Sequence, residues 1–372
     1  MRIAIDARLW GEPRSGIGRY TRSLVETLTR LAPGQRWVLY LDRPAVPPLP
    51  DGVEARCLPW PQRLLWTLWA APRDLRAHPV DLFHGVTGFE LPPGRTCPLV
   101  TTVHDLVPLR FPRLVPWRHR WAVRCLLGSA LRRARQVIAV SEATRAEILA
   151  RYPVPAAKIR VVPEAAPAHV RPPSEAAREA VRARYRLDGP YVLFVGLLEP
   201  KKNLGVLLGA VARLRAAKAW GTTELVVAGA SGWGRDRWSV EAHRLGLDQS
   251  VRFLGAVPDG DLPALYAGAR AFVFPSLWEG FGLPVLEAMA AGAPVIASRR
   301  GALPEVTGEA ALLVEPEVAP LADALGQVLD DPLLRARLRE AGLARAAQFS
   351  WERTATETLA VYRAALEGGS GA

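Results

Sequence analysis

AFVFPSLWEGFGLPVLE, residues 271–287, changes character twice within a short stretch. Ala271–Phe274 is a short apolar run of the β type. Pro275–Gly282 reads as a loop in which Gly280 and Gly282 clear side chains away, and Pro284 suits the first turn of a helix. A buried strand feeding a glycine-bearing loop and then a helix is one βα unit of a parallel sheet. Working outward, further apolar runs stand at 191–195, 224–228, 251–254, 294–297 and 311–314, and in the first half at 2–6, 37–41, 80–84, 99–103, 136–140 and 159–162. Helix-period segments separate them. Val/Ile/Leu-rich strands alternating with helices mean parallel sheets covered on both faces, and two sets of six predict two doubly wound domains. The rhythm breaks at the Pro- and Ala-rich stretch 164–189. The expected layout is an N-terminal domain over 1–170, a linker at 171–189, a second domain over 190–350 and a C-terminal helix at 351–367 that returns to the first domain. The closing GGSGA reads as a frayed tail.

The 372 residues are 49% hydrophobic and 23% charged, which excludes disordered and collagen-like classes and suits about two domains. The longest charge-free run, 288–298, is far too short for a membrane span. The opening MRIAID reads as a strand rather than a signal peptide. Three cysteines, Cys57, Cys97 and Cys125, without paired spacing argue against a disulfide framework or zinc cluster and suit a reducing cytoplasm. The net charge of +12 is uneven: residues 1–186 carry +15 and the remainder −3. A basic first half invites an anionic partner.

Two carboxylates flank the loop–helix junction. Glu279 lies at the strand's end, and Glu287 lies about one turn inside the helix. A helix N-terminus beside glycine offers free N–H groups and the positive end of a dipole, which makes an anion site. Carboxylates beside it suit the vicinal hydroxyls of a sugar or ribose. The segment GLLEPKKN, Gly196–Asn203, follows strand 191–195. It sets Lys201 and Lys202 beside a helix start, where their charge adds to the dipole end as an anion site, with Asn203 as the expected cap. SGIGRY, 15–20, lies between strand 2–6 and a helix over 19–31. Its Gly16 and Gly18 match a dinucleotide turn weakly, since Thr21 stands where a third glycine belongs, although Asp42 supplies an acid after the next strand. In TVHD, 102–105, His104 and Asp105 can orient hydroxyls or move protons, and Asp105 can equally cap the next segment. His84 reads as structural. Ser141 is expected to cap helix 142–151, on which Arg145 is a candidate to contact a polar ligand.

These stretches, with VIAVSEATRAEIL (137–149), KIRVVPE (158–164), LEAMAAGAPVIAS (286–298) and GALPEVTGEAALLV (301–314), resemble the family 4 retaining glycosyltransferases of the GT-B fold. The spacing from Glu279 to Glu287 matches that family's Glu-x7-Glu motif. The likeness covers nearly the whole chain and is strongest to the mannosyltransferase-like branch of bacterial surface-polysaccharide synthesis. It implies an α/β, GT-B architecture of two Rossmann-like doubly wound domains facing a central cleft. It also implies transfer of a hexose, with GDP-mannose preferred, from a nucleotide-diphosphate sugar to a saccharide or lipid-linked acceptor, with no metal and no other cofactor.

Carried over by motif, Glu279, His104 and Lys202 would be catalytic. Glu279 and His104 would meet the hexose, Glu287 the ribose, and the amides of Phe281, Gly282 and Leu283, beside Gly280, the sugar and diphosphate. Gly16 and Gly18 would close over the donor phosphates, Gly196, Lys201 and Lys202 would line them, and the backbone at Val257 would face the base. Leu197 stands where many relatives carry Arg.

Residues 110–135 hold eight Arg and no acid, with Trp117 and Trp121 on one helical face, and 60–76 add Trp60, Trp66 and Trp69. This pattern suits peripheral contact with an anionic membrane, on the inner face of the plasma membrane, rather than nucleic acid. The alternatives from other classes are an NAD-dependent oxidoreductase built on Gly16, Gly18 and Asp42, and a non-catalytic GT-B subunit of a polysaccharide assembly.

Overall fold

The computed structural model describes residues 1–12, 16–60, 62–94, 96–230 and 235–367. Ser15 and the terminal GGSGA lie outside them. The chain divides into two compact units, one formed by Met1–Glu164 with the segment from Ser350 onward, the other by Ala165–Phe349.

The first unit holds β1 (Arg2–Asp6), β2 (Arg36–Leu41), β3 (Glu54–Cys57), β4 (Leu82–Gly85), β5 (Leu99–Val103), β6 (Gln136–Ala139) and β7 (Ile159–Val161), in the order β3-β2-β1-β4-β5-β6-β7. The second holds β8 (Tyr191–Val195), β9 (Glu224–Ala228), β10 (Val251–Gly255), β11 (Ala271–Phe274), β12 (Val295–Ser298) and β13 (Leu312–Val314), in the order β10-β9-β8-β11-β12-β13. Every pairing is parallel. In both sheets the order reverses beside the first strand, between β1 and β4 and between β8 and β11. Such switch points leave a crevice beyond the strands' C-terminal ends.

Sequence reading expected six strands in the first sheet; the structure has seven. The missed strand, β3, reads Glu-Ala-Arg-Cys and pairs through one edge only, with Glu54, Ala55 and Cys57 exposed. An edge strand that buries little has no reason to carry an apolar run. The central strands do: Ala4, Ile5, Leu39, Phe83 and Val100 are wholly buried, as are Leu193, Phe194, Val226 and Phe272 in the second unit.

Residues 171–189, expected as a linker, contain the helix Glu175–Tyr185, capped by Ser174, and fall within the second unit. Arg184 and Tyr185 donate to the buried Asp261. The helix Trp351–Glu367 packs on Gly16–Leu31 and on β5 and β6 within the first unit.

A buried hydrogen-bonded chain stitches it there. Tyr362 Oη lies 2.8 Å from His84 Nδ1, His84 Nε2 lies 2.8 Å from Thr102 Oγ1, and Thr102 Oγ1 lies 3.0 Å from Tyr20 Oη. Burial, with His104 nearby, pushes His84 down to about 3, so it is neutral in the fold, as its structural reading anticipated. The unfolded chain protonates this ring from its ordinary value near 6.5 downward, whereas the folded protein does not until about 3. Stability supplied by His84 is therefore present above that range and drains away as pH falls through it. Between pH 7 and 5 the loss is roughly 2 kcal/mol. Urea unfolding of wild type and His84→Asn across that interval checks it, the variant having the flatter profile.

Candidate functional site

In the second unit the site is assembled from loops at the ends of β8, β9 and β11. Gly196 N–H donates to Ala228 O at 3.0 Å, and a β-carbon on Gly229 would lie 1.8 Å from Gly196 O, so these two strand ends touch backbone to backbone. The chain then makes the 3-10 turn Pro200–Lys202. Leu277 N–H donates to Lys201 O at 2.9 Å, which ties the loop after β11 to that turn.

The tie brings together two residues 77 apart in sequence. Lys202 Nζ donates to Glu279 Oε1 at 2.7 Å, and both side chains are about nine-tenths buried. Nζ also lies 4.7 Å from the centre of the Phe274 ring. Burial lowers the Lys202 ammonium below its ordinary range, against the pull of Glu279. For Glu279 burial alone would raise the carboxyl; the charges of Lys202 and Lys201 and the hydrogen bond from Lys202 outweigh it and hold the carboxyl below its usual range.

Glu279 is also held from behind. Its carbonyl accepts from Ala302 N–H at 3.0 Å, and Gly301, at φ +60°, approaches so closely that a β-carbon there would lie 2.3 Å from Glu279 O. Gly282 is the residue before the helix Leu283–Ala291, in a left-handed conformation at φ +105° that glycine adopts without strain. A β-carbon on it would also lie 2.5 Å from Leu303. The helix start at 283 is where sequence put it, as is Glu287 one turn in. Glu287 is 1% exposed and accepts from Tyr266 Oη at 3.1 Å. Gly280 and Phe281 lie in the loop between the two glutamates, Phe281 buried edge-on against Phe349. Val257 follows β10.

Asn203 departs from expectation. It precedes the helix Leu204–Ala216 but makes no side-chain cap; its Nδ2 donates to Pro275 O and Pro316 O instead. Gly229, Gly301 and Tyr266 were not singled out from sequence. Each acts through a partner distant in the chain, although the glycine after β9 repeats the placing of Gly196 after β8.

In the first unit the candidate loop after β1 differs from expectation. The helix begins at Gly16, not at 19, so Gly18 is helical. A β-carbon on Gly18 would lie 2.4 Å from Glu12 O and 2.7 Å from Leu9 O, whereas Gly16 has open space. Gly18 thus admits the protein's own loop. His104 follows β5 with both ring nitrogens engaged, Nδ1 2.8 Å from Glu164 Oε1 and Nε2 3.0 Å from Val86 O. Asp105 accepts from Val107 N–H, the turn-capping role foreseen for it. Ser141 caps the helix Glu142–Arg151, and Arg145 on that helix pairs with Glu142 at 3.3 Å.

Among the described residues no group of three or more His, Cys, Asp or Glu side chains is placed to hold a metal. No helix among them is long and apolar enough to cross a membrane.

Residues 14–169 match the family model described as Glycosyltransferase Family 4, and residues 177–345 that described as Glycosyl transferases group 1. The O-antigen chain mannosyltransferase B of Escherichia coli is 36% identical over 313 residues, 84% of this chain and 80% of that protein. The chain is a family 4 glycosyltransferase. This glycosyltransferase is also 36% identical, over 285 residues, to the MMP alpha-(1->4)-mannosyltransferase of Mycolicibacterium hassiacum, covering 72% of the chain and 66% of that relative. Its fold is GT-B. Sucrose-phosphate synthase from Thermosynechococcus elongatus superposes with a TM-score of 0.79 at 24% identity, over 99% of this chain and 100% of that one. The oxidoreductase and non-catalytic readings give way to a sugar-transferring enzyme.

Proposed function

We propose that this glycosyltransferase moves a hexose, mannose, from GDP-mannose to a saccharide or lipid-linked acceptor with retention at the anomeric carbon and without a metal. The carrying observation is the buried Lys202–Glu279 pair at the ends of β8 and β11, beside the helix start at Gly282. Lys202, Lys201 and the amides near Gly282 supply positive charge where the departing diphosphate gathers negative charge. Glu279 and His104 meet the hexose and Glu287 the ribose. The C1–O bond to the diphosphate breaks, and the acceptor oxygen bonds to C1 on the same face. The acceptor's proton passes to the leaving phosphate oxygen. The mannosyltransferase names of two relatives support the sugar.

A thermal-shift screen against GDP-mannose, GDP, UDP-glucose, UDP and NAD tests the donor. A ligand at about 100 times its Kd stabilises the fold by about 2.7 kcal/mol. The expected result is stabilisation by the guanosine nucleotides; a shift with uridine nucleotides alone overturns GDP-mannose, and none with either family overturns the site.

We also read the first unit as docking on an anionic bilayer. Trp117 and Trp121 are 62% and 54% exposed on the helix Trp117–Arg133, and Trp60, Leu64, Leu68 and Trp69 are exposed around the turns at 63–70. Pro112, Arg120, Trp121 and Arg124 line a pocket of about 270 Å³. Trp66, grouped with these from sequence, is instead core: it is fully buried, with the Arg8 guanidinium 4.0 Å from its ring centre. Its burial follows from the apolar face of 66–77 packing on the sheet. The expected outcome is co-sedimentation with vesicles containing phosphatidylglycerol but not with pure phosphatidylcholine, reduced by Trp69→Ser/Trp121→Ser. Equal binding to both vesicles would remove the charge-based reading.

A further inference from the structure

The His104–Glu164 pair has a polarity that the core pair His84–Tyr362 lacks. His84 and Tyr362 are both wholly enclosed. Of the other two, the Glu164 side chain is 4% exposed and that of His104 16%, so the carboxylate lies inside and the ring toward solvent. A carbonyl only accepts, so the contact at Val86 O requires a proton on Nε2. Glu164 Oε1 lies 2.8 Å from Nδ1, and a carboxylate there only accepts, so this contact calls for a proton on Nδ1 as well.

The pair is braced on every side. Thr144 Oγ1 donates to His104 O at 3.2 Å, and Thr354 Oγ1 donates to Pro163 O, beside Glu164, at 2.7 Å. The Tyr20 ring stands edge-on to the imidazole, centroids 4.8 Å apart. A buried carboxylate needs a compensating partner, and the His104 ring provides one.

We propose that Glu164 is the positioning residue of His104. Its carboxylate accepts from Nδ1–H and fixes the orientation of the ring, so that Nε2–H exchanges the Val86 carbonyl for a hydroxyl of the transferred sugar. This rests on the reading of His104 as a sugar contact. The side chain that touches sugar is then oriented by one that does not, as metal-bound histidines are oriented by the partner of their other nitrogen.

Imidazole 15N NMR of the ligand-free full chain is the first test. Wild type should show both ring nitrogens protonated, and Glu164→Ala should lose the Nδ1 proton; an Nδ1 without its proton in wild type overturns the proposal. Calorimetric binding of GDP-mannose and GDP is the second. His104→Ala and Glu164→Ala should each cut GDP-mannose affinity by about tenfold and leave GDP affinity unchanged, while Glu164→Gln, which can still accept from the ring, keeps most of it. The double variant His104→Ala/Glu164→Ala should be no worse than His104→Ala alone.

If His104→Ala loses the sugar-dependent affinity and Glu164→Ala and Glu164→Gln both keep it, Glu164 has no positioning role. If His104→Ala keeps it, the sugar contact itself is wrong and the proposal falls with it. Should Glu164→Ala fail to fold, Glu164→Gln with the ring spectrum decides: a wild-type affinity with an altered ring state overturns the coupling.

Discussion

Replacing Glu279 by Gln is expected to lower sugar transfer by about a hundredfold or more while making the protein more responsive to nucleoside diphosphate. The first effect follows from the proposed function, in which Glu279 meets the transferred hexose. A preorganised polar group aimed at the reacting centre is worth about a hundred- to a thousandfold in turnover. The second follows from the ion pair. In the ligand-free protein Lys202 is neutralised by Glu279 at 2.7 Å. Glutamine leaves that buried ammonium without its counter-charge, so the variant should melt below wild type. Added GDP then restores the missing negative charge, and its thermal shift should exceed that of wild type. Turnover within a few-fold of wild type would show that Glu279 does not meet the sugar, and an unchanged GDP shift that it does not restrain Lys202.

The Lys202→Met substitution removes the other half. It leaves Glu279 buried with Lys201 as the nearer remaining cation, and breaking a buried pair this way typically costs about 3–5 kcal/mol. Transfer should fall with it, because under the proposed function the departing diphosphate loses a positive group beside it. The pH dependence has a definite sign. Lys202, first by its charge and then by its hydrogen bond, helps hold Glu279 below the usual carboxylate range against the upward push of burial. That stabilisation is present above the unfolded chain's carboxyl pKa and disappears as pH falls through the folded value. The gap in stability between wild type and Lys202→Met should therefore be widest near neutrality and close in acid. Lys202→Met/Glu279→Gln separates stability from chemistry: it should regain most of the lost stability, since no buried charge is left alone, yet stay inactive. Chemical denaturation with a GDP-release assay reads both. A double variant as unstable as Lys202→Met would place the cost in packing around Phe274 instead.

The two parallel sheets were legible in the sequence because strands buried on both faces must be almost wholly apolar. Runs such as Tyr191–Val195 can hardly be anything else, whereas the exposed edge strand Glu54–Cys57 carries no such signature. The loop from Glu279 to the helix at Leu283 was legible for a local reason. Glycine at φ +105°, proline in the first helical turn and a glutamate at each end are demands of backbone geometry and chemistry within a few residues. Cap positions were less secure: Ser141 did what a serine before a helix does, and Asn203, in the same setting, spent its amide on two carbonyls from elsewhere in the unit.

What pattern could not supply is partnership across the chain. Lys202 and Glu279 were each visible as candidates, but their meeting depends on β8 and β11 lying side by side and on the Leu277–Lys201 backbone bond. Likewise His104 was visible as a titratable group at a strand end, and Glu164 only as part of a motif. Which nitrogen faces which oxygen was decided when the loops after β5 and β7 closed on each other. Trp66 and Trp69 look alike in sequence and lie three residues apart, yet one is core and the other 68% exposed, because the sheet covers only one face of that segment. Local backbone demands and the apolarity of central strands are written residue by residue. The pairing of charges, the partners of a histidine ring and the outward face of a tryptophan belong to the folded chain, where distances between remote residues are first set.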